Sequence, residues 1–346
     1  MADIKRIGVL TGGGDCPGLN PAIRGVVMRA FDYGWEVQGF RRGWAGLTED
    51  IPTPLSIDIV DEIIDKGGTI LGSSRTNPYK MEGGPELCLA TLKRHNIDAL
   101  VAIGGDDTLS VAAKLWNVEH FPTVGVPKTM DNDLSGTDYT FGYDTAVQIA
   151  VEAVGRLRDT AKSHERVLVL EVMGRHAGWV AWATGLAGAA DWTLVPEEKP
   201  DWEAMAAHMR KLKARGQNYA IIVASEGIEL PCDDNEDCEL DAFGHKRLIK
   251  RGVGEYVATY LEEQTGMESR FAVIGHMQRG GPPTAFDRIL GTRVGVAAAD
   301  FLNQGKFGSM AALQGAEIVA VDISHASGIT KRVPQDCLEL MRVFFK

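Results

Sequence analysis

The amino-acid sequence predicts an α/β protein of two lobes, each a mostly parallel sheet flanked by helices. Short apolar runs alternate with segments of helical spacing along most of the chain. Such alternation is typical of parallel strands joined by right-handed helical crossovers. The 346 residues exceed what one hydrophobic core usually serves, which favours two lobes.

The same patterns place the elements in chain order. Apolar, β-prone runs predict strands at 6–10, 35–40, 99–103, 123–126, 166–173, 193–195, 219–225, 269–275 and 317–322. Helical spacing predicts helices at 21–33, 56–66, 86–95, 108–116, 144–163, 179–190, 202–215, 247–266 and 285–304. Ser56 is a candidate N-cap for the second helix. No repeat and no Pro/Ser linker is visible, so we expect the lobes to exchange chain segments.

Composition excludes several classes of function. A net charge of −11 argues against non-specific nucleic-acid binding and against an anionic membrane surface. No run of 18 apolar residues and no signal-peptide pattern is present. Five scattered cysteines predict free thiols in a reducing cytoplasm. The acidic loop between Cys232 and Cys238 is a candidate metal site, although a solvated surface loop is the better interpretation.

Two polar segments carry the strongest chemical signal. Segments 104–107 (GGDD) and 127–133 (PKTMDND) each follow a buried strand, so both should lie at the carboxyl ends of neighbouring strands, where open α/β sheets bind ligands. Together they bring four carboxylates and Lys128 into one crevice. Crowded carboxylates need a metal ion or a phosphate–lysine system to balance them, which predicts Mg²⁺-assisted phosphoryl transfer.

The residue types in these segments suggest individual roles. Asp106 is a candidate Mg²⁺ ligand, although an aspartate at this place is also a common helix N-cap. Asp131 is a candidate general base, and Lys128 supplies a compact positive charge for phosphate. A D-N-D triplet alone is often only a turn, but its spacing from the upstream G-G-D-D makes chance a poor explanation.

Two glycine-rich turns are candidate anion sites. Segment 12–18 (GGGDCPG) joins the first strand to the first helix, where backbone N–H groups can approach an anion, but tight packing explains such turns equally well. It has neither P-loop nor G-x-G-x-x-G spacing. Segment 67–75 ends in Arg75, a candidate clamp for a transferring phosphoryl group that is equally compatible with a surface arginine.

The second half of the chain offers cations at strand ends. Arg175 follows the strand at 166–173, and Glu226 follows the strand at 219–225, where it can accept from sugar hydroxyls. We expect one anion site outside the metal centre, formed by Arg166, Arg175, Arg270, His276 and Arg279.

At this point the sequence resembles the phosphofructokinase family from Ile7 to about Val321. The matching pieces are IGVLT with the following glycines, GGTILGSSR, GGD, TMDND, MGR and HMQRGG, in the family's order and spacing. The resemblance implies Rossmann-like three-layer lobes. It implies a phosphoryl-donor and Mg²⁺ lobe of residues 1–141 plus 278–328, and a sugar-phosphate lobe of 142–277 plus 329–346.

The resemblance also implies residue roles. Asp131 is the base that takes the proton of the 1-hydroxyl of fructose 6-phosphate, Asp133 and Thr129 assist it, and Arg175 belongs to the catalytic set. Asp106 binds Mg²⁺, and Gly14 and Arg75 contact the phosphoryl donor. The sugar is held by Thr129, Met130, Met173, Gly174, Arg175, Glu226, His276, Met277 and Gln278, and its 6-phosphate by Arg166, Arg270 and Arg279. In the family, Arg166 and Arg270 reach in from a neighbouring subunit, which implies a homodimer or homotetramer with shared sites.

Two positions predict the phosphoryl donor. ATP-using members of the family carry glycines where this chain has Asp107 and Lys128, and the pair here resembles that of pyrophosphate-dependent members. A carboxylate at 107 would repel a nucleotide's α-phosphate, and Lys128 adds a cation for the compact pyrophosphate. The alternatives are an ATP-dependent or dual-donor kinase, a kinase of sedoheptulose 7-phosphate and, more remotely, a non-catalytic sugar-phosphate sensor. The presence of Asp106, Asp131 and Asp133 argues against the sensor.

Overall fold

The computed structural model describes residues 4–231 and 252–345. Its strands are β1 (Arg6–Thr11), β2 (Glu36–Phe40), β3 (Pro52–Leu55), β4 (Ala99–Gly104), β5 (Thr123–Pro127), β6 (Val167–Val172), β7 (Trp192–Leu194), β8 (Ala220–Ser225), β9 (Ser269–Val273), β10 (Ser309–Gln314) and β11 (Glu317–Asp322). Its α-helices are α1 (Leu19–Asp32), α2 (Ala45–Thr48), α3 (Ile57–Val60), α4 (Gly84–Arg94), α5 (Asp106–Asn117), α6 (Tyr143–His164), α7 (Trp179–Ala187), α8 (Trp202–Ala214), α9 (Val253–Thr265), α10 (Ala285–Asn303) and α11 (Gln335–Arg342). Short 3₁₀ turns lie at Pro78–Lys80, Gly275–Arg279 and Ile323–Ala326.

The first sheet has seven strands in the order β11-β10-β5-β4-β1-β2-β3. Its central strands are parallel, and an antiparallel pair closes each edge, β2 with β3 and β10 with β11. Every residue of β4 is buried, as expected for a central strand covered on both faces. One face packs against α1 and α10, and the other against α4 and α5, which gives three layers.

The second sheet has four parallel strands in the order β7-β8-β6-β9. Helices α8 and α9 cover one face, whereas α6, α7 and α11 cover the other. Local signals start two flanking helices. The Asp201 carboxylate accepts from the backbone N–H of Ala204 at 2.9 Å and caps α8. Thr284 caps α10 by accepting from the backbone N–H of Asp287 at 3.3 Å.

The predicted α/β class with mostly parallel sheets is confirmed, and several elements differ, among them the helices α2 and α11, which were not predicted. The helix expected over 56–66 is only the four residues of α3. Ser56 makes no side-chain cap bond, so the N-terminus of this helix lacks the stabilisation that the sequence suggested. The strands β3 and β10 were not predicted. Pro52 and Pro54 weaken the strand pattern of β3, and prolines are tolerated there because β3 is an edge strand.

Part of the sequence-based interpretation falls outside the described residues, namely Cys232, Cys238 and the first residues of the helix expected over 247–266. Across 4–231 and 252–345, no helix is long and apolar enough to span a bilayer.

Candidate active site

Strand register brings the polar segments of the first sheet together. Thr11 pairs with Ile103, and Gly104 pairs with Pro127, so β1, β4 and β5 end at one edge of the sheet. In the second sheet Val172 pairs with Ser225, so β6 and β8 also end together. Segments that follow these strands line one cavity of about 540 Å³. The cavity is lined by Gly13, Gly14, Asp15, Ser74, Arg75, Thr76, Gly105, Asp106, Asp107, Thr108, Lys128, Thr129, Met130, Asp131, Asp133, Met173, Arg175, His176, Glu226, His276 and Arg279.

The glycine loop after β1 forms one end of the cavity, which we call the donor end. Gly13 has φ +78°, in the left-handed region that glycine adopts at no steric cost. Its N–H donates to the carbonyl of Ser74 at 3.2 Å, which joins the loop to the segment carrying Arg75. A Cβ at Gly12 would lie 2.5 Å from the Thr108 hydroxyl. The loop therefore packs closely on the start of α5.

The start of α5 carries two adjacent carboxylates of the cavity lining. Gly105 is the N-cap of the helix, with no side-chain cap bond, and Asp106 and Asp107 lie in the first turn. The N-cap alternative for Asp106 is therefore not realised. Both carboxylates line the cavity, where the positive end of the helix dipole favours negative charge.

Lys128 is the buried cation of the donor end. Its side chain is only 3% exposed, and its ammonium donates to the carbonyl of Gly14. Burial lowers the pKa of Lys128, and Arg279 lowers it further, whereas Asp15 and Asp106 oppose the shift. The glycine loop and the strand end of β5 are thus held together by one positive charge.

Asp131 and Asp133 are carboxyls in a poorly solvated part of the cavity. Burial raises the pKa of Asp131, with Glu226 adding to the shift and Arg279 and Arg175 opposing it. Burial, followed by the charges of Asp131 and Asp106, raises the pKa of Asp133 to about 6. Asp131 Oδ1 is buried and, across the described residues, accepts no hydrogen bond. An unpaired carboxylate oxygen with a raised pKa suits a general base.

The segment after β6 forms the opposite end of the cavity. Gly174 has φ +139°, and its carbonyl accepts from the Ser225 hydroxyl at 2.6 Å. Its N–H lies 3.4 Å from Glu226 Oε1, and burial raises the pKa of the Glu226 carboxyl. Met173, Arg175 and Glu226 thereby face the same space as Asp131.

The short turn Gly275–Arg279 contacts both ends of the cavity. The Arg279 guanidinium donates to the carbonyl of Asp15 at 3.0 Å, and a Cβ at Gly14 would lie 2.7 Å from Arg279 Nη1. Gln278 is fully buried; its Oε1 accepts from the N–H of Met173 at 2.9 Å, and its Nε2 donates to the carbonyl of Ala146 at 3.1 Å.

Fourteen residues singled out from the sequence line the cavity, and five do not. Gln278 and Gly174 support the lining from behind, whereas Met277 points outward and is 68% exposed. Arg166 and Arg270 lie at the amino ends of β6 and β9, at the opposite edge of their sheet. There Arg166 lies 2.9 Å from Glu268, and Arg270 lies 2.7 Å from the same carboxylate.

Sequence reasoning missed several lining residues. Asp15, Thr108 and His176 each adjoin a residue that was singled out, so their position inside the motifs was an available signal. Ser74 and Thr76 flank Arg75 in the same way. These residues could have been found by including the chain neighbours of each candidate, because the loops after parallel strands turn several consecutive side chains toward the ligand crevice.

Comparisons with known proteins agree with this geometry. A family model described as Phosphofructokinase matches residues 6–302. The pyrophosphate–fructose 6-phosphate 1-phosphotransferase of Dictyoglomus thermophilum is 52% identical over 343 residues, which cover 98% of each chain. The ATP-dependent 6-phosphofructokinase 3 of Streptomyces coelicolor is 46% identical over 332 residues, covering 95% of this chain and 96% of the relative.

A solved structure shares the fold over nearly the whole length. The pyrophosphate-dependent phosphofructokinase of Marinobacter aquaeolei superposes with a TM-score of 0.82 at 25% identity, covering 99% of this chain and 92% of the other. The family match over 6–302 includes every segment that lines the cavity. The chain therefore belongs to the phosphofructokinase family.

Proposed function

We propose that this chain transfers a phosphoryl group reversibly between pyrophosphate and the 1-hydroxyl of fructose 6-phosphate. The products of the forward reaction are fructose 1,6-bisphosphate and orthophosphate, which places the enzyme in glycolysis and gluconeogenesis. The free thiols of Cys16, Cys88 and Cys337 support a cytoplasmic location.

The observation that carries the choice of donor is the buried charge of Lys128, which lines the same cavity as the carboxylate of Asp107. The ammonium at the Gly14 carbonyl supplies one compact cation at the donor end. Asp107 lines the same end, where its carboxylate would repel the additional phosphate of a nucleotide. Pyrophosphate places its charge on two phosphates and requires no space for a nucleoside.

The protein groups supply positioning and proton transfer. Asp131 accepts the proton of the 1-hydroxyl as that oxygen attacks the terminal phosphorus, while the bond from phosphorus to the leaving orthophosphate breaks. Lys128 and Arg75 share the negative charge of the transferring group. Thr129 Oγ1 accepts from the N–H of Asp131 at 3.1 Å and so orients the base.

The opposite end of the cavity holds the sugar. Arg175 and Glu226 face the space that Asp131 also faces, and His276 and Arg279 approach from the turn at 275–279. Met130 and Met173 contribute apolar contact. We assign the 6-phosphate to Arg279 and to two arginines of a neighbouring subunit, its copies of Arg166 and Arg270. In each chain these two arginines lie at the far edge of the second sheet, away from the cavity of that chain. The working unit is then a homodimer or homotetramer.

The carboxylates at the donor end fit a magnesium ion that binds together with its substrate. Among the described residues, no group of three or more His, Cys, Asp or Glu side chains could hold a metal ion by itself. Mg²⁺ in phosphoryl-transfer sites usually binds one or two carboxylates plus substrate phosphates and water, which Asp106 can provide with its neighbour. Bound there, Mg²⁺ would neutralise charge on the phosphate oxygens.

The lobe boundaries follow the sheets. We assign 1–141 plus 278–328 to the donor lobe and 142–277 plus 329–346 to the sugar-phosphate lobe. The membership of β10 and β11 in the seven-stranded sheet supports the return of the chain to the donor lobe.

The test is a coupled assay of purified protein with fructose 6-phosphate and Mg²⁺, in which pyrophosphate is compared with ATP. Turnover with pyrophosphate and little with ATP is expected. Turnover with ATP at least as fast would keep the family and overturn the choice of donor. No turnover with either donor would overturn the reaction itself for this sugar phosphate.

A further inference from the structure

A lysine outside the cavity holds the loop that carries the base. Lys331 lies between the turn Ile323–Ala326 and α11, far along the chain from β5. Its ammonium donates to Asn132 Oδ1 at 3.0 Å and to the carbonyls of Thr137 and Asp138 at 2.9 and 2.8 Å. All three N–H groups of the ammonium are therefore used, and all on one loop.

Asn132 is the residue next to Asp131, and its conformation depends on these contacts. It is 1% exposed and has φ +53°, a left-handed backbone conformation that few side chains adopt. Its Oδ1 also accepts from the N–H of Thr140 at 3.1 Å. One amide oxygen thus ties the two ends of the 129–140 loop to Lys331.

Backbone contacts extend the same connection. The N–H of Lys331 donates to the carbonyl of Asp133 at 2.8 Å, and Thr330 forms a β-bridge with Leu134. Lys331 is therefore joined to the two residues that follow Asp131, Asn132 and Asp133, without lining the cavity.

The segment that carries Lys331 is fixed on its other side by α7. Trp179 Nε1 donates to the carbonyl of Lys331 at 2.8 Å, and Glu197 Oε1 accepts from the N–H of Val333 at 3.0 Å. The same carboxylate oxygen accepts from the N–H of Gly178 at 2.9 Å, at the N-cap of α7. We call residues 329–333 the strap, because they connect α7 of the second sheet to the loop after β5 of the first.

The charge of Lys331 matters in this setting. Burial lowers its pKa to about 8, while Asp138 and Asp133 act in the opposite direction. The ammonium is therefore mostly protonated at neutral pH. The ammonium is partly buried, and separating the loop from the strap would leave its N–H groups without these acceptors, which is costly.

We propose that Lys331 is a positioning residue for phosphoryl transfer, which holds the 129–140 loop so that Asp131 faces the sugar hydroxyl. The proposal rests on the function proposed above, since it gives Asp131 the role of base. In physical terms, removal of the Lys331 ammonium loosens the 129–140 loop and misplaces Asp131, while the donor end of the cavity stays intact.

The principal test compares Lys331→Met with Arg332→Met, which removes an exposed cation from the next residue of the strap. Misplacing a base by a fraction of an ångström to one ångström costs rate, so Lys331→Met should lower kcat by about a hundredfold. KM for pyrophosphate should change by less than about twofold, because Gly14, Arg75 and Asp106 lie on other segments and the ammonium of Lys128 is held by the Gly14 carbonyl rather than by the loop. Arg332→Met should keep kcat and KM.

A second readout does not depend on turnover. Amide hydrogen exchange of the 129–140 loop should accelerate in Lys331→Met, foremost at the N–H groups of Asp131 and Thr140, while exchange in β4 stays unchanged. Lys331→Arg, which retains the charge and the donors, should recover at least about tenfold of the lost kcat. If Lys331→Met does not fold, Lys331→Gln carries the same expectations, because its shorter, uncharged amide has two N–H donors in place of the three of the ammonium.

The outcomes separate this proposal from the function itself. A kcat within about threefold of the wild type, or unchanged loop exchange, would overturn the positioning role. Equal losses in Lys331→Met and Arg332→Met would overturn it too, since they indicate general loss of the strap. Failure of the wild-type protein to use pyrophosphate overturns only the choice of donor, and the variants are then compared with the donor that it does use.

Discussion

Lys128 donates a hydrogen bond from its ammonium to the carbonyl of Gly14, which places a buried cation between the end of β5 and the glycine loop after β1. A Cβ on the neighbouring Gly13 would lie 3.6 Å from the same ammonium. The ammonium therefore packs directly against the backbone of Gly13 and Gly14, with no side chain of the loop between them. Four predictions follow from this site and its neighbours.

The first prediction concerns the donor. Replacing Asp107 and Lys128 together with glycine should raise the ratio of kcat/KM for ATP to that for pyrophosphate by about a hundredfold, because a like charge near the nucleotide phosphates is removed together with the cation that favours pyrophosphate. Steady-state kinetics with both donors measure the ratio. The two single variants serve as controls for each charge, and a double variant without any gain in ATP use would assign donor choice to other residues.

The second prediction concerns the base. Asp131→Asn should lower kcat by about a thousandfold, because proton transfer from the sugar hydroxyl loses its acceptor. Burial raises the pKa of Asp131, so neutralising it removes a poorly solvated charge and should leave the thermal unfolding midpoint equal or higher. Near-normal kcat in this variant would remove Asp131 from the role of base.

The third prediction concerns pH. Asp131 and Asp133 interact, so they titrate as a pair, and burial raises the pKa of Asp133 to about 6. Activity requires the ionised base, and burial raises the pKa of Asp131, so kcat/KM should fall on the acidic side at a pH above the usual range of a carboxyl. Asp133→Asn should move this acidic limb to lower pH, because one neighbouring negative charge is gone. A limb that stays in place would show that other groups control it.

The same pair has a consequence for stability with a definite sign. A carboxyl whose pKa is raised in the folded state binds a proton more readily there than in the unfolded chain. The contribution of Asp133 to stability is therefore complete below its ordinary pKa of 3.8 and is lost as pH rises through about 6. The gain in free energy of unfolding of Asp133→Asn over the wild type should accordingly be larger at pH 7.5 than at pH 5. Urea unfolding of both proteins at the two pH values measures it.

The fourth prediction concerns the shared site. Asp131→Asn and Arg270→Ala should each be nearly inactive, but co-expressed chains should regain about a quarter of the wild-type activity, since half of the randomly formed dimers contain one intact site of two. Mixed dimers isolated with two different affinity tags should then show about half of the wild-type activity, because each contains one intact site of two. Co-expressed Asp131→Asn and Arg175→Ala are the control, because both residues line the cavity of one chain and complementation there should fail.

The sequence predicted that the polar segments of the donor end lie together, because the signals for their position are local. Apolar runs marked β4 and β5, and the polar residues after them needed only the rule that parallel strands end at one edge. The strands β3 and β10 escaped prediction because their pairing is decided by distant chain: β10 pairs with β5 and β11, and β3 pairs with β2 despite two prolines.

Lys331 and Gln278 escaped for a similar reason. Lys331 is nearly 200 residues from Asn132 along the chain, and no local pattern distinguishes it from a surface lysine. Gln278 was expected to touch the sugar, but its amide is consumed by backbone groups of Met173 and Ala146. Sequence periodicity does not show which polar side chains bind backbone groups of distant segments; the three-dimensional packing does.

The burial of Gln278 has a consequence for how the cavity receives its ligands. The amide does not titrate. Its Oε1 accepts from one backbone N–H and its Nε2 donates to one backbone carbonyl, so both hydrogen bonds persist when the pH changes. Because the same short turn carries His276 and Arg279, both side chains are set relative to β6 before any substrate arrives. Binding of the sugar phosphate therefore need not order this turn, and little conformational entropy is lost there when the complex forms.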